Sequence, residues 1–130
     1  MLVMEQLIRD NDQSGSSHIV ERVAKFHLDF EAIHPFIDGN GRTGRLILNL
    51  ELMKHAYPPI NIKYSERKRY YECFTSYHTI NDPINMVLLI ADNVETEIRR
   101  YIEIIKIAND ITDSNYYKKS TRQDDQDIEV

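Results

Sequence analysis

Apolar residues recur every three or four positions along most of this 130-residue chain, which is the spacing of one face of an α-helix. The clearest run consists of Ile19, Val23, Phe26, Phe30 and Ile33. Similar runs precede and follow it, and no segment shows the period-two alternation that indicates a ladder of β-strands. The pattern therefore predicts an all-α fold of about five helices.

Prolines mark where the predicted helices end and begin. Pro35 ends the second helix, because the residue before a proline is disfavoured in the α conformation. Pro58 ends the third helix in the same way, and Asp82 followed by Pro83 predicts the start of a long fifth helix. The predicted core face of the third helix consists of Leu46, Leu50, Met53 and Tyr57, and in the fourth helix Tyr70, Tyr71, Phe74 and Tyr77 are expected to line the core and a groove.

Composition is consistent with one globular domain, with 42% apolar and 28% charged residues. From about residue 111 the sequence becomes polar and charged, so we expect a core over residues 1–110 and a mobile tail over 111–130. The formal net charge of −5 argues against a nucleic-acid partner. No run of 18 apolar residues predicts a membrane span, no secretory signal begins the chain, and the single Cys73 is expected to be a buried thiol. A cytoplasmic protein is the expectation.

The segment HPFIDGNGRTGR, residues 34–45, holds the chemistry of this sequence. Gly39 and Gly41 flank Asn40, so the backbone can adopt positive φ and bring N–H groups close to an anion. A helix starting near Gly41 directs its unpaired N–H groups to the same point. Arg42 and Arg45 share the first turn of that helix and can clamp phosphates. The segment therefore predicts a phosphate-binding loop between the second and third helices.

Two other glycine-rich motifs fit this segment less well. Residues 39–44 match GxGxxG, but the dinucleotide-binding fold needs a preceding strand and a βαβ unit. The segment before the glycines has helical spacing, which excludes that interpretation. No Gly-Lys-Ser/Thr follows, so the segment is not a P-loop.

Two titratable residues of the loop suit phosphate chemistry. His34 lies beside the anion site, and histidine is the side chain that most often serves as a general base. Asp38 is the one carboxylate of the loop, and Mg²⁺ prefers one or two carboxylates together with phosphate oxygens.

The segment resembles the signature HxFx(D/E)GNGRxxR of the Fic family at every fixed position. RVAKFHLDFEAI before it, and LILNLELMKHAYPPINI and RKRYYECF after it, are similar to the helices that flank the family's active site. The resemblance covers residues 1 to about 107. It implies a protein adenylyltransferase, which transfers AMP from ATP to a Ser, Thr or Tyr hydroxyl of a target protein. The intact Gly-Asn-Gly-Arg run favours AMP transfer over the kinase reaction of the related Doc proteins.

The resemblance also implies a role for each residue of the loop. His34 would deprotonate the target hydroxyl, Asp38 would hold Mg²⁺, and Phe36 would be the buried anchor of the loop. Arg45 is the position that pairs with an inhibitory glutamate where the family has one. The residues expected to bind the nucleotide phosphates are Gly39, Asn40, Gly41, Arg42, Thr43, Gly44 and Arg45.

Two expected features of the family are not found in this sequence, namely the β-hairpin flap that holds the target strand and the inhibitory (S/T)xxxE(G/N) motif. The core is therefore expected to be partial at its N-terminus. Partners allowed by the resemblance are a target protein, an antitoxin or other inhibitory partner, and a second copy of the chain. The alternative is a catalytically idle Fic core that binds a nucleotide or a partner.

Overall fold

The computed structural model describes residues 2–13 and 17–127, with side chains described at residues 5–10 and 17–122. Five α-helices and no strand occur in these residues, as the sequence predicts. A short 3₁₀ turn, Tyr64–Glu66, leads into the fourth helix. The helices are α1 (Leu2–Gln13), α2 (Ile19–Ile33), α3 (Asn40–Lys54), α4 (Arg67–Ile80) and α5 (Ile84–Asp127).

Helix α2 is the central helix of the core. It is buried on most of its circumference, as expected of a helix with neighbours on several sides, and it packs against both α1 and α3. Four of the five helices and one connecting residue, Ile60, contribute to the core cluster. Its helical members are Val20, Val23, Ala24 and Leu28 of α2, Leu48 and Leu52 of α3, Tyr70 and Cys73 of α4, and Met86, Leu89, Ile90 and Val94 of α5. Burial of Cys73 is thereby confirmed, and burial raises the pKa of its thiol.

The predicted core face of α3 is wrong for Leu46, Leu50 and Met53, whereas Tyr57, which follows the end of the helix, packs against the core as predicted. Leu46, Leu50 and Met53 are 69%, 57% and 48% exposed, whereas Leu48 and Leu52 are buried. Leucines occur on both faces of this helix, so apolar spacing alone does not distinguish them. The face that packs is the one that contains Gly44, because a residue without a side chain lets α3 approach α2 closely.

The chain leaves α3 through a connection that we call the second connection, residues 55–63. Ile60 is buried in it, and the side chain of Asn49 closes it by two hydrogen bonds. The Asn49 amide donates to the Ile60 carbonyl at 2.9 Å, and the Ile60 N–H donates to the Asn49 oxygen at 2.8 Å. The predicted cap of α5 is confirmed, because the Ile84 N–H donates to Asp82 at 3.0 Å.

The chain divides into two units within α5, and the second unit begins at Ile98. In this unit the helix continues to Asp127, and its described side chains are exposed. The sequence predicts a mobile tail from residue 111, and the structure has helical backbone there. Mobility of that segment stays a prediction, and residues 128–130 lie outside the described residues. None of the described helices has the length and apolar character needed to cross a membrane.

Candidate active site

The site begins where α2 ends. His34 is the C-terminal cap of α2 in the left-handed conformation, with φ of 50°, and its N–H donates to the Phe30 carbonyl at 3.1 Å. This conformation turns the chain sharply out of the helix, and the following Pro35 prevents the helix from continuing. The imidazole of His34 is exposed. The turn therefore presents a titratable ring at the start of the loop.

Asn40 closes the connection between α2 and α3, residues 34–39, which we call the first connection. Its side chain is nearly fully buried. The Phe36 N–H donates to the Asn40 oxygen at 2.9 Å, and the Asn40 amide donates to the Phe36 carbonyl at 2.7 Å. The backbone N–H and carbonyl of Phe36 are thus both bonded to the side chain of Asn40, the first residue of α3, which fixes the shape of the loop.

The expectation that Phe36 is buried is wrong. Its ring is 53% exposed, although it contacts the ring of Phe30 with a centroid separation of 6.5 Å. In the structure the hydrogen bonds to Asn40 hold the main chain of Phe36. The role of the ring as an anchor stays a prediction.

The two guanidinium groups lie close to the two glycines that flank Asn40. Gly39 has φ of 76° and caps α3, and a Cβ atom there would lie 3.7 Å from Nη2 of Arg42. A Cβ atom at Gly41 would lie 3.2 Å from Nη1 of Arg45, which is closer than ordinary van der Waals contact. Both arginines therefore extend over the start of α3, whose N–H groups and dipole favour an anion.

A concavity of about 310 Å³ opens at this helix start. The structure brings seven predicted site residues together around it, with Ile37 as an eighth lining residue. The seven are His34, Asp38, Gly39, Asn40, Gly41, Arg42 and Arg45. An imidazole, a carboxylate, backbone donors and two guanidinium groups thus face one space, which suits phosphoryl or nucleotidyl transfer.

Thr43 and Gly44 are not among the residues that line this concavity. Gly44 is buried against α2, and a Cβ atom on it would lie 2.5 Å from Oε1 of Glu31 and 3.1 Å from the ring of Phe30. The structure therefore gives Gly44 a packing contact where the sequence predicts a phosphate contact. Sequence reasoning missed this contact, because the spacing within α3 does not show which of its faces packs against α2.

A buried histidine of α2 is hydrogen-bonded to a tyrosine of α4. Nε2 of His27 and the hydroxyl of Tyr70 share a hydrogen bond of 2.8 Å, and both residues are buried. Burial lowers the pKa of His27 to about 4, so its ring is neutral at physiological pH. Burial raises the pKa of Tyr70 to about 12, while its interaction with Arg45 favours the ionised form. Sequence reasoning assigned His27 no role, because spacing does not show which histidine meets a tyrosine of another helix.

A second concavity, of about 400 Å³, adjoins the first. The two share Gly41 and Arg45 as lining residues. The second one is largely aromatic, and its remaining lining residues are Glu31, Tyr70, Tyr71, Phe74 and His78. Tyr71 is exposed there, so the predicted groove-lining role of α4 agrees with its position.

Asp38 is the residue of the first concavity that could hold a metal ion. Its Oδ1 accepts a hydrogen bond of 2.7 Å from the Gly39 N–H. Within the part of the chain that the structure describes, no three His, Cys, Asp or Glu side chains cluster as metal ligands. One exposed carboxylate fits Mg²⁺ if phosphate oxygens of a nucleotide supply further ligands.

The chain is similar to known proteins over most of its length. The model of the Fic/DOC family matches residues 2–52, which include α1, α2, the loop and most of α3. "Protein adenylyltransferase fic-1" of Caenorhabditis elegans is 41% identical over 115 residues, which are 83% of this chain and 22% of that protein. "Protein adenylyltransferase Fic" of Drosophila grimshawi is 41% identical over 93 residues, which are 72% of this chain and 19% of that protein.

A solved structure of Fic-1 from Caenorhabditis elegans has the same fold. It matches with a TM-score of 0.75 and 31% identity, over 83% of this chain and 33% of that one. The predicted Fic-like helical fold is therefore confirmed. The chain spans about a fifth of the length of the curated relatives named above.

Proposed function

Because the chain belongs to the Fic/DOC family, we propose that it is the catalytic core of a protein adenylyltransferase and transfers AMP from ATP to a Ser, Thr or Tyr hydroxyl of a target protein. The observation that carries the proposal is the first concavity, in which His34 and two guanidinium groups face the start of α3. The names of the relatives, protein adenylyltransferases, support it.

The phosphates of ATP are proposed to lie at the start of α3. Arg42 and Arg45 project over Gly39 and Gly41, and each cation opposes the helix dipole at a typical cost of about 0.3–1 kcal/mol. An anion bound between them would offset this cost. The exposed backbone N–H groups of the helix start would complete the site for the α- and β-phosphates.

His34 is the proposed general base. In the transfer step, the oxygen of the target hydroxyl forms a bond to the α-phosphorus, and its proton moves to a ring nitrogen of His34. The bond between the α-phosphorus and the bridging oxygen breaks, and pyrophosphate leaves with the electron pair. The exposure of His34 at the mouth of the first concavity leaves the ring accessible to a hydroxyl from outside.

Asp38 is the proposed ligand of Mg²⁺, which would neutralise part of the phosphate charge. The adenine ring is proposed to lie in the second concavity, against the exposed face of Tyr71, since aromatic side chains stack on bases. Because Gly41 and Arg45 line both concavities, one nucleotide would extend from the first concavity into the second.

An idle nucleotide-binding core is the second candidate, and one contact favours it. Oδ1 of Asp38 accepts the hydrogen bond of the Gly39 N–H, so this carboxylate occupies a donor that the phosphates would use. Asp38 must turn away from Gly39 before it can hold Mg²⁺. A chain in which Asp38 keeps this bond would hold ATP through its arginines without transferring AMP.

Intact-mass measurement of the chain after incubation with ATP and Mg²⁺ tests the proposal. We expect a covalent AMP on a hydroxyl of the chain itself or of an added protein. His34→Ala should lower the rate by a factor on the order of 10²–10⁴, because a general base contributes about that much. His34→Asn repeats the test with a residue that tolerates the left-handed conformation.

His55→Ala is the matched control, since His55 is an exposed histidine at the end of α3. It should leave the rate of AMP incorporation unchanged. AMP incorporation by both His34 variants at the wild-type rate would show that His34 is not the base. ATP binding without any AMP incorporation by the wild type would favour the idle core.

A further inference from the structure

Glu31 carries a buried oxygen that the proposed reaction does not use. The residue lies on α2, one turn before His34, and its side chain reaches the space that Gly44 leaves free. Oε1 of Glu31 is buried and has no hydrogen-bond partner among the described residues. A buried carboxylate oxygen without a donor is unfavourable, and Glu31 also lines the aromatic concavity, so its carboxylate is a candidate acceptor for a ligand there.

The surroundings of Glu31 are cationic but leave its oxygen unpaired. Burial raises the pKa of the Glu31 carboxyl, while Arg45 and His34 favour its ionised form. In the described part of the chain no salt bridge joins Glu31 to Arg45. Nearby positive charge thus offsets part of the cost of burying this carboxylate, and its Oε1 has no hydrogen-bond donor in the described part of the chain.

The concavity that Glu31 lines indicates which part of a ligand it would meet. Glu31 lines the aromatic concavity together with Gly41 and Arg45, the two residues that also line the phosphate concavity. A nucleotide with its phosphates in one concavity and its base in the other has its ribose at this junction. The ribose presents two hydroxyl groups, each of which can donate a hydrogen bond.

We propose that the Glu31 carboxylate accepts a hydrogen bond from a ribose hydroxyl of the bound nucleotide and so selects ribonucleotides over deoxyribonucleotides. The inference rests on the proposed function, because it requires ATP at this site. It makes Glu31 a specificity-determining residue. A Cβ atom at Gly44 would lie 2.5 Å from Oε1 of Glu31, so a glycine at this position lets the carboxylate keep its place.

Calorimetric binding of ATP, 2′-deoxy-ATP and 3′-deoxy-ATP with Mg²⁺ to the 130-residue chain tests the proposal. One of the two analogues should bind about tenfold to about hundredfold more weakly than ATP, because a hydrogen bond to a charged group is lost and the acceptor stays buried. The analogue that is penalised identifies the hydroxyl. Equal affinity for all three nucleotides would overturn the inference and leave the proposed function intact, whereas no binding of any nucleotide would overturn both.

Variants separate direct contact from indirect positioning of Arg45. Glu31→Ala should bring the affinity ratio of ATP to the penalised analogue close to one, and Glu31→Gln, which keeps the shape, should lower the ratio partly. Arg45→Ala should weaken all three nucleotides equally and leave the ratio unchanged. The control Glu21→Ala, at an exposed glutamate of the same helix, should change neither. A Glu31→Gln variant that binds all three nucleotides more weakly at an unchanged ratio would show that Glu31 only positions Arg45.

Discussion

The first and second connections of this chain are closed by the same device, yet only the first has the features of an active site. In each, one asparagine side chain of α3 bonds both the N–H and the carbonyl of a single residue, Asn40 with Phe36 and Asn49 with Ile60. Each also contains a left-handed residue near the end of the helix before it, His34 in the first and Ala56 in the second.

The differences lie in what surrounds the asparagine. The residue held in the second connection, Ile60, is buried, and Tyr57 and Ile62 pack against the core, so that connection directs its apolar side chains into the core. The residue held in the first connection, Phe36, is half-exposed, and glycines and arginines follow it at a helix start. A rigid loop becomes a candidate ligand site when its backbone donors and charges face solvent, since a core-facing loop has no donor to offer.

Among variants that remove a difference between the two connections, we expect the largest effect on ATP affinity. Arg42→Ala removes a charge-assisted contact worth about 1.5–3 kcal/mol, so calorimetric affinity should fall at least about tenfold. The free energy of unfolding should stay the same or rise slightly, because a cation at a helix N-terminus opposes the dipole.

Lys54→Ala is the control, since Lys54 is an exposed cation at the other end of the same helix. Its ATP affinity should equal that of the wild type. Equal affinity of the Arg42 variant would remove Arg42 from the phosphate site.

Replacing either asparagine should give an effect of intermediate size. Asn40→Ala and Asn49→Ala each delete two hydrogen bonds, so urea unfolding should show a loss of about 1–3 kcal/mol for both. Their ATP affinities should differ, because only Asn40 holds the loop of the first concavity. A pair of variants with equally weakened ATP binding would mean that the second connection also shapes the site.

The smallest effect concerns the left-handed residues Gly39 and Ala56, with φ of 76° and 64°. Gly39→Ala should destabilise the chain by about 1 kcal/mol, because a Cβ atom is strained in this conformation. Ala56→Gly should stabilise it by about 0.5 kcal/mol, since relief of the strain exceeds the added entropy of the unfolded chain. Thermal unfolding of both variants measures the two signs, and a shift in the same direction for both would contradict the assigned backbone conformations.

Sequence reasoning succeeded where the signal is local. Proline restricts its own backbone and the residue before it, whereas glycine permits positive φ, so the end of α2 before Pro35 and the loop before α3 were predictable. Helix existence followed from spacing, and the residues of the first concavity are neighbours in the chain.

It failed where the answer depends on another helix. The buried face of α3 is set by the contact of Gly44 with α2, which spacing in α3 does not show. Neither the bond between His27 and Tyr70 nor the position of Glu31 under Gly44 can be derived from one segment. Burial of Phe36 was expected from the family resemblance, and the structure shows a half-exposed ring instead.

Backbone amide shifts in an NMR titration of the chain with ATP and Mg²⁺ test the central claim most directly, namely that phosphates bind at the first connection and not at the second. We predict that the amide signals of Gly39, Asn40 and Gly41 shift with ATP concentration. The amide signals of the non-proline residues of 55–63 should stay unchanged. Sodium chloride at the same ionic strength is the control for nonspecific charge effects. An unchanged loop at saturating ATP, or equal shifts at both connections, would contradict the claim.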